Sequence, residues 1–349
     1  MTNSHLTKHP SVTVLIPCYN GKKWIDRCFE ALRKQGINDF EIVVVDDKST
    51  DDSLKILNKW TKVFPQLKIV KNKKNVGLAH VRNILISNVK TEYFVFVDID
   101  DKLPKNTLSN LLKPVVEDKI KYDLVAGKVL CCMFDKKLKP RITISLPITN
   151  NYSKECYSSR KWLIKNYSLS VWGKLIRKEY WNSLNYEFLN GKIFEDFYIS
   201  FFLVFEAKKF CAITKPTYVY SRHPNTLSSY DKFSQKKFND FRYQVNIFMK
   251  AIEHDKRFKN PEYKKCLSSW FSAVSTVFWQ WYKLCKNDKN HLLAFNKFRN
   301  DFIYKFMYKA GQSVNSPKNW WNITTNTYFN RVFGKEIRYW KKQIKNKKK

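Results

Sequence analysis

The alternation of short apolar runs with helical patterns, between residues 12 and 100, constrains the fold of this chain most strongly. Four runs are rich in β-branched or aromatic residues: VTVLI (12–16), EIVVV (41–45), LKIV (67–70) and YFVFV (93–97). The segments between them, such as 24–35 and 78–88, carry apolar residues at helical spacing. Continuous apolar strands that alternate with helices are typical of a parallel sheet covered on both faces. We therefore predict an α/β domain with a Rossmann-like, mainly parallel sheet.

Polar residues follow each of these four runs, at the points where the predicted strands end. They include Tyr19, Asp47, Asn75 and Asp98. Parallel α/β sheets bind their ligands at the carboxyl ends of the strands. We therefore expect the four strand ends to converge on one ligand-binding crevice.

Three carboxylates lie close together in DIDD (98–101), directly after the fourth run. Carboxylate oxygens suit Mg²⁺ or Mn²⁺, which keep coordination positions open for substrate phosphates. A single aspartate at a strand end is more often a turn or helix-cap residue, but this group favours a metal site. The sequence has no G-x-G-x-x-G after the first run and no P-loop motif, so dinucleotide and P-loop sites lose support.

The formal net charge of +35, from 65 Lys and Arg against 30 Asp and Glu, attracts polyanions. A coding bias toward lysine explains the charge equally well, so the charge alone identifies no partner. A nucleic-acid-binding protein is one alternative function, but the strand-end acids would repel phosphate. A metal-dependent nucleotidyltransferase is another, but the chain lacks a Gly-rich triphosphate loop. We therefore disfavour nucleic acid as a partner.

The cysteines and the apolar stretches predict a cellular location. The eight cysteines form no C-x-x-C pair, which favours reduced core thiols. The N-terminal MTNSHLTKHPS lacks the apolar segment of a signal peptide. Apolar stretches such as FFLVF (201–205) are too short to span a bilayer. We expect a cytoplasmic protein, either free or peripheral at the inner face of the cell membrane.

Five motifs, in this order, resemble those of the family 2 glycosyltransferases: VTVLIPCYNG, EIVVVDDKSTDDS, NVGLAHVRN, FVFVDIDD and IFED. The resemblance implies a GT-A fold and a nucleotide-activated sugar as donor. It implies a catalytic domain over 1–230, with a nucleotide-sugar half at about 11–101 and an acceptor half at about 102–230. Residues 231–349 match no family motif, and their basic and aromatic patterns predict a helical region for self-association, membrane contact or acceptor contact.

The resemblance also implies roles for residues on the donor side. Pro17 and Tyr19 resemble the residues that line the base pocket, with Tyr19 offering an aromatic face. Asp47 resembles the acceptor of a hydrogen bond from the uracil imide N–H. Asn75 and Arg82 resemble hydrogen-bond donors near the base and the diphosphate.

The acids and cations around the diphosphate follow from the same resemblance. Asp98 to Asp100 resembles the D-x-D element, in which one acid holds the ribose and another binds a metal. Asp100, with or without Asp101, is the implied ligand of Mn²⁺ or Mg²⁺, and the choice between the two stays open. Arg222 and His223 resemble a loop that closes over the diphosphate, where a cation stabilises the departing UDP. A solvated basic loop is the other interpretation of these two residues.

On the acceptor side, Asp196 resembles the general base of an inverting transfer from a UDP-sugar, and Glu195 resembles its neighbour. Acids at a helix start are also ordinary partners of the helix dipole. Trp172 and Lys174 resemble an acceptor-side segment, although core packing explains the tryptophan equally well. The implied acceptor is a glycan, a lipid-linked glycan or an anionic polymer, as in bacterial surface-polysaccharide or teichoic-acid synthesis.

Overall fold

The computed structural model describes residues 11–134, 140–145, 163–164, 170–222, 232–260 and parts of 263–303. The chain divides into two compact units, one of residues 1–155 and 170–227 and one of 156–169 and 228–349. The domain bounds predicted at 1–230 and 231–349, and the functional roles assigned to the two regions, stay predictions. His223 and the side chain of Arg222 lie outside the described residues.

The described elements of the first unit are strands and helices that alternate over its first half. The strands are β1 (Val12–Cys18), β2 (Glu41–Asp46), β3 (Leu67–Lys71), β4 (Tyr93–Phe96), β5 (Leu124–Phe134), β6 (Pro140–Ser145), β7 (Lys174–Arg177) and β8 (Phe210–Arg222). The helices are α1 (Ile25–Leu32), α2 (Ser53–Trp60), α3 (Leu78–Ser87), α4 (Thr107–Glu117), α5 (Lys178–Leu184) and α6 (Asp196–Phe205).

The sheet is parallel on one side and mixed on the other. Its order is β3-β2-β1-β4-β7-β5-β6, and β8 also pairs with β5. The pairs β2–β3, β1–β2 and β1–β4 are parallel, which confirms the predicted α/β class. Strand β7 runs antiparallel to both β4 and β5. Because β7 lies between them, the segment before it is brought beside the end of β4.

Helices cover both faces of the parallel strands, as their uninterrupted apolar runs predict. On one face, Phe29 of α1 stacks on Trp60 of α2 with ring centroids 5.3 Å apart. On the other face of β4, Phe94 and Phe96 meet Trp181 of α5 edge to face, at 5.8 and 6.2 Å. These aromatic layers fix the sheet and therefore the strand ends that carry the polar residues.

The described part of the second unit is helical, as predicted. It contains α7 (Gln235–His254), a short 3₁₀ turn (Lys256–Lys259) and α8 (Lys289–Ile303). The indole of Trp281 packs against Phe238 and Phe241, at centroid distances of 5.2 and 6.0 Å. None of the described helices is long and apolar enough to cross a membrane.

Candidate active site

Asp47 braces the loop that precedes α3. Its carboxylate accepts hydrogen bonds from Asn72 Nδ2 at 2.7 Å and from the amides of Val76 and Gly77 at 3.0 and 2.8 Å. Gly77 has a φ of +85°, which glycine adopts without the steric cost of a side chain. Asn75 Nδ2 donates to the backbone carbonyl of Asp47 at 3.2 Å. The Val76 amide also lies 3.2 Å from Oδ2, so each oxygen of the buried Asp47 carboxylate has two donors within the protein.

The end of β1 presents an exposed aromatic ring beside the Asp47 loop. Tyr19 is 51% exposed, whereas Pro17 is buried in β1 opposite Val45. Asn20 has a φ of 50°, and its side-chain carbonyl accepts a hydrogen bond from the Thr50 amide at 2.8 Å. This bond joins the loops after β1 and β2, so the structure brings these two predicted strand ends together.

A tyrosine connects the acidic loop after β4 to β8. The Tyr218 hydroxyl donates to Asp101 Oδ2 at 2.7 Å and accepts from the Asp98 amide at 3.1 Å. The other oxygen of Asp101 accepts from the Ser221 amide at 2.6 Å. Burial, with the nearby charges of Asp100 and Asp98, raises the pKa of Asp101 well above its usual value. Both oxygens of Asp101 are therefore already bonded within the protein.

Asp98 and Asp100 are the acids of this loop that reach solvent. Within the described residues, no group of three or more His, Cys, Asp or Glu side chains could hold a metal ion. Magnesium commonly binds through one or two carboxylates together with substrate phosphates and water. The described residues of the loop therefore form no all-protein metal cage, and binding of Mg²⁺ or Mn²⁺ together with a substrate phosphate stays a prediction.

Arg27 of α1 also contacts the acidic loop, a contact that the sequence patterns did not predict. Its Nη2 donates to the backbone carbonyl of Asp100 and lies 3.5 Å from the Ser221 hydroxyl. The guanidinium carbon lies 4.5 Å from the ring centroid of Trp24. Arg27 thus places a fixed positive charge at the loop that carries Asp100.

Arg82 of α3 joins the acidic loop to the start of α6. The side chain is 2% exposed, and its Nη2 lies 2.9 Å from Asp98 Oδ1. Its Nη1 donates to the Glu195 carboxylate and lies 3.9 Å from Asp196 Oδ2. Burial lowers the pKa of Arg82, but these three carboxylates raise it more, so the guanidinium stays charged. The predicted contact of Arg82 with the donor nucleotide stays a prediction.

Glu195 and Asp196 differ in exposure although they are adjacent. The Glu195 side chain is 4% exposed, whereas that of Asp196 is 19% exposed. Burial raises the pKa of Glu195 to about 7, against the opposing effect of Arg82. Burial also raises the pKa of Asp196, against Arg82 and a hydrogen bond from the Val171 amide. Asp196 is thus the carboxylate of the pair that a ligand can reach.

The acceptor-side segment predicted at Trp172 and Lys174 borders Asp196. The Trp172 ring stacks on Tyr218 and Tyr220, with centroids 4.5 and 5.3 Å apart. Lys174 is buried, and burial lowers its pKa to about 7 although Asp196 opposes the shift. Arg82, Asp98, Glu195 and Asp196 thus meet at the end of β4, with Lys174 beside them. The hydrogen bonds of Asp47 and Asn75 described above lie instead in the loops after β2 and β3.

Tyr218 is the second functional residue that the motifs missed. A signal for it exists in PTYVYSR (216–222), where alternation places Tyr218 and Tyr220 on one face of β8. The signal does not reveal the hydrogen bond to Asp101, because the two residues are 117 positions apart in sequence.

A Rossmann-like sheet with an acidic loop after its fourth strand, facing an acid pair at a helix start, defines an α/β domain of the GT-A type. Residues 13–182 match the family model of glycosyl transferase family 2. Residues 13–182 are thus a domain of that family, which confirms the resemblance seen in the motifs.

Known structures and relatives agree with this assignment. The crystal structure of S. aureus TarS 1-349 in complex with UDP-GlcNAc has a TM-score of 0.66 at 19% identity, covering 87% of this chain and 84% of that one. At that identity the likeness shows a shared fold alone. The processive diacylglycerol beta-glycosyltransferase of Mycoplasma genitalium is 30% identical over 213 residues, which are 57% of this chain and 60% of that protein.

The name of a second relative refers to a teichoic acid. The teichoic acid poly(glycerol phosphate) polymerase of Staphylococcus epidermidis is 33% identical over 103 residues, which are 29% of this chain and 14% of that protein. The chain thus spans less than two thirds of the length of either relative.

Proposed function

We propose that the chain is an inverting glycosyltransferase, which moves a sugar from a UDP-sugar to an acceptor hydroxyl with Asp196 as general base. The observation that carries the proposal is the position of Arg82. One buried guanidinium lies 2.9 Å from Asp98 of the acidic loop and 3.9 Å from Asp196 at the start of α6. Asp196, which a ligand can reach, and Asp98 of the proposed donor site therefore both lie beside the guanidinium group of Arg82.

Asp196 suits the role of base better than Glu195 does. A general base must lie within hydrogen-bond reach of the hydroxyl that it deprotonates. Asp196 is partly exposed, whereas Glu195 is buried and bonded to Arg82. Burial raises the pKa of Asp196, which makes its ionised form a stronger base. In the proposed reaction the acceptor oxygen attacks the anomeric carbon as the bond to UDP breaks, and Asp196 takes the acceptor proton.

The leaving diphosphate requires positive charge beside it. Asp98 and Asp100 are the proposed holders of Mn²⁺ or Mg²⁺, because both oxygens of Asp101 are bonded to Tyr218 and Ser221. When bound, such an ion stabilises the negative charge that develops on the departing phosphate. Arg27, bonded to the carbonyl of Asp100, adds a protein charge near this position.

The donor base is proposed to lie between Tyr19 and Asp47. Tyr19 exposes an aromatic ring on which a pyrimidine can stack. We assign to Asp47 the hydrogen bond from the imide N–H of uracil on the motif resemblance alone. The TarS complex with UDP-GlcNAc, in a shared fold, supports a uridine nucleotide as donor. We assign Arg222 and His223 to the diphosphate on the motif resemblance alone.

The proposed acceptor is a hydroxyl of a bacterial surface polymer or lipid-linked glycan. The names of the two relatives, one for diacylglycerol and one for a teichoic acid, support a surface acceptor of this kind. The basic region 231–349 is proposed to contact that acceptor, the membrane surface or a second copy of the chain.

The proposed activity is tested by measuring UDP release from a panel of UDP-sugars, with Mn²⁺ and with EDTA. We expect one or a few donors to release UDP in Mn²⁺ and none to do so in EDTA. GDP-, CDP- and ADP-sugars serve as controls for the base pocket. Release from all nucleotide classes alike would contradict the assignment of Tyr19 and Asp47, and release unaffected by EDTA would contradict the metal.

A further inference from the structure

A buried lysine holds the turn that leads into β7. Lys174 is 2% exposed, and its Nζ donates to the carbonyl of Ser170 at 2.7 Å and of Trp172 at 3.4 Å. Burying an ammonium group is unfavourable unless it is paired and hydrogen-bonded. The Ser170 carbonyl belongs to the same peptide group as the Val171 amide, so the lysine fixes that peptide group directly. Its second bond fixes the Trp172–Gly173 peptide group of the same turn.

The peptide group that contains the Ser170 carbonyl also contacts the proposed base. The Val171 amide donates a hydrogen bond to the Asp196 carboxylate. The turn is fixed from its other side as well, because the Trp172 ring lies nearly parallel to that of Tyr218, with an angle of 10° between them. A displacement of Ser170 or Trp172 would therefore move the donor that orients Asp196.

We propose that Lys174 is a positioning residue, which clamps the turn from Ser170 to Trp172 and so holds the Val171 amide on Asp196. This inference rests on the proposed function, in which Asp196 is the base. It replaces the direct acceptor contact implied for Lys174 by the motifs, because the buried Nζ is bonded to two backbone carbonyls.

The clamp persists through neutral pH. Burial lowers the pKa of Lys174 to about 7, but the neutral amine still carries N–H donors for the two carbonyls. Below that pH the ammonium charge also acts on Asp196 and lowers the pKa of this carboxyl. A loss of Lys174 therefore has two consequences: the turn loosens, and Asp196 becomes harder to ionise.

The charged groups around Asp196 determine the direction of the expected pH effect. Arg82 faces it from α3, Lys174 from β7, Glu195 from its own helix start, and Asp98 from the loop after β4. Arg82, Lys174 and the Val171 amide all lower the pKa of Asp196. Removing Lys174 should thus move the acidic limb of the pH–rate profile to higher pH.

The test is Lys174→Met, with Lys178→Met as a matched control. Lys178 also donates to a backbone carbonyl, that of Ile86 at 3.0 Å, and burial lowers its pKa too. For Lys174→Met we expect kcat for UDP release to fall by about 10- to 100-fold, the scale of a misplaced reacting group. We expect an unchanged affinity for Mn²⁺–UDP and an acidic limb at higher pH. Lys178→Met should leave both kcat and the acidic limb of the pH–rate profile unchanged.

A double variant separates this inference from the proposed function. If Lys174 acts through Asp196, then Lys174→Met should cause little further loss in an Asp196→Asn background, because coupled residues are non-additive. The positioning role would be overturned if the kcat of the double variant fell by the product of the two single-variant reductions. It would also be overturned if the acidic limb of the pH–rate profile did not move in Lys174→Met. Either result would leave Asp196 as the base. Normal turnover in Asp196→Asn alone would overturn the proposed function instead. If Lys174→Met fails to fold, Lys174→Gln keeps an N–H donor without the charge, and the limb should move in the same direction.

Discussion

The hydroxyl of Tyr218 lies 2.7 Å from the carboxylate of Asp101, to which it donates a hydrogen bond. The same hydroxyl accepts from the Asp98 amide at 3.1 Å, so one side chain of β8 holds both ends of the acidic loop. Tyr218 and Asp101 are both buried. The position of the proposed metal ligands therefore depends on a strand that is far away in sequence.

Tyr218→Phe should destabilise the protein by about 1–3 kcal/mol, because it leaves the buried Oδ2 of Asp101 and the part-buried Asp98 amide without their partner. Tyr93→Phe is the matched control, since the buried hydroxyl of Tyr93 has no hydrogen-bond partner in the part of the chain that the structure describes. Urea unfolding measures both variants. Equal losses in the two would show that the bond to Asp101 contributes nothing.

Asp100→Asn should remove the Mn²⁺ dependence of UDP binding while leaving the stability nearly unchanged, because Asp100 is partly exposed. Asp101→Asn should do the reverse: it keeps the metal dependence but loses about 1–3 kcal/mol, since its buried bonds to Tyr218 and Ser221 are disturbed. Calorimetry of UDP binding with Mn²⁺ and with EDTA distinguishes the two. Equal UDP affinity of the wild type in both conditions would contradict the metal site.

Arg82→Met should cost about 3–5 kcal/mol of stability, because it leaves buried carboxylates without their counter-charge. The deficit should shrink as the pH falls, since protonation of Glu195 and Asp196 removes the uncompensated charge. Arg33→Met is the control: Arg33 pairs with Glu30 at 3.2 Å with both side chains about half exposed, and such pairs contribute about 1 kcal/mol or less. A deficit for Arg82→Met that does not depend on pH would contradict this account of the charges.

Lys174→Met should change how stability depends on pH. Burial lowers the pKa of Lys174 from 10.5 to about 7, so between these values the unfolded chain binds a proton that the folded chain lacks. Stability rises with pH wherever the unfolded state binds more protons. The wild type should therefore gain free energy of unfolding relative to the variant as the pH rises through this range. Parallel profiles of the two proteins in urea would show that Lys174 has an ordinary pKa.

The sequence alone predicted the parallel half of the sheet and the family. Uninterrupted apolar runs such as 41–45 and 93–97 have few alternatives to buried parallel strands, and both lie in the sheet interior. The mixed half was not predicted in detail, because β7 pairs with β4 and β5 from a distant part of the chain. Local patterns carry no information about such pairings.

The motifs did not predict the carboxylate partners of Arg82. The resemblance suggested a donor beside the nucleotide, whereas the structure buries the guanidinium among three carboxylates. A signal was present, since Arg82 shares the buried face of α3 with Ala79 and Leu85, three residues away on each side. A charged residue on an apolar helix face indicates a buried partner, but only the fold identifies that partner as Asp98 and Glu195.

The most direct test of the account is Asp196→Asn, measured both by calorimetry of Mn²⁺–UDP binding and by UDP release from the active donor. Asn is nearly isosteric and can still accept a hydrogen bond from Val171, so the fold and UDP affinity should stay as in the wild type. UDP release should fall by about 10² or more, the scale of a lost general base. Asp118→Asn is the control, because it replaces a carboxylate that accepts a 2.6 Å bond from Tyr122 outside the proposed site. Retained binding with lost release is the predicted result, and near-normal release would contradict the assignment of Asp196 as the base.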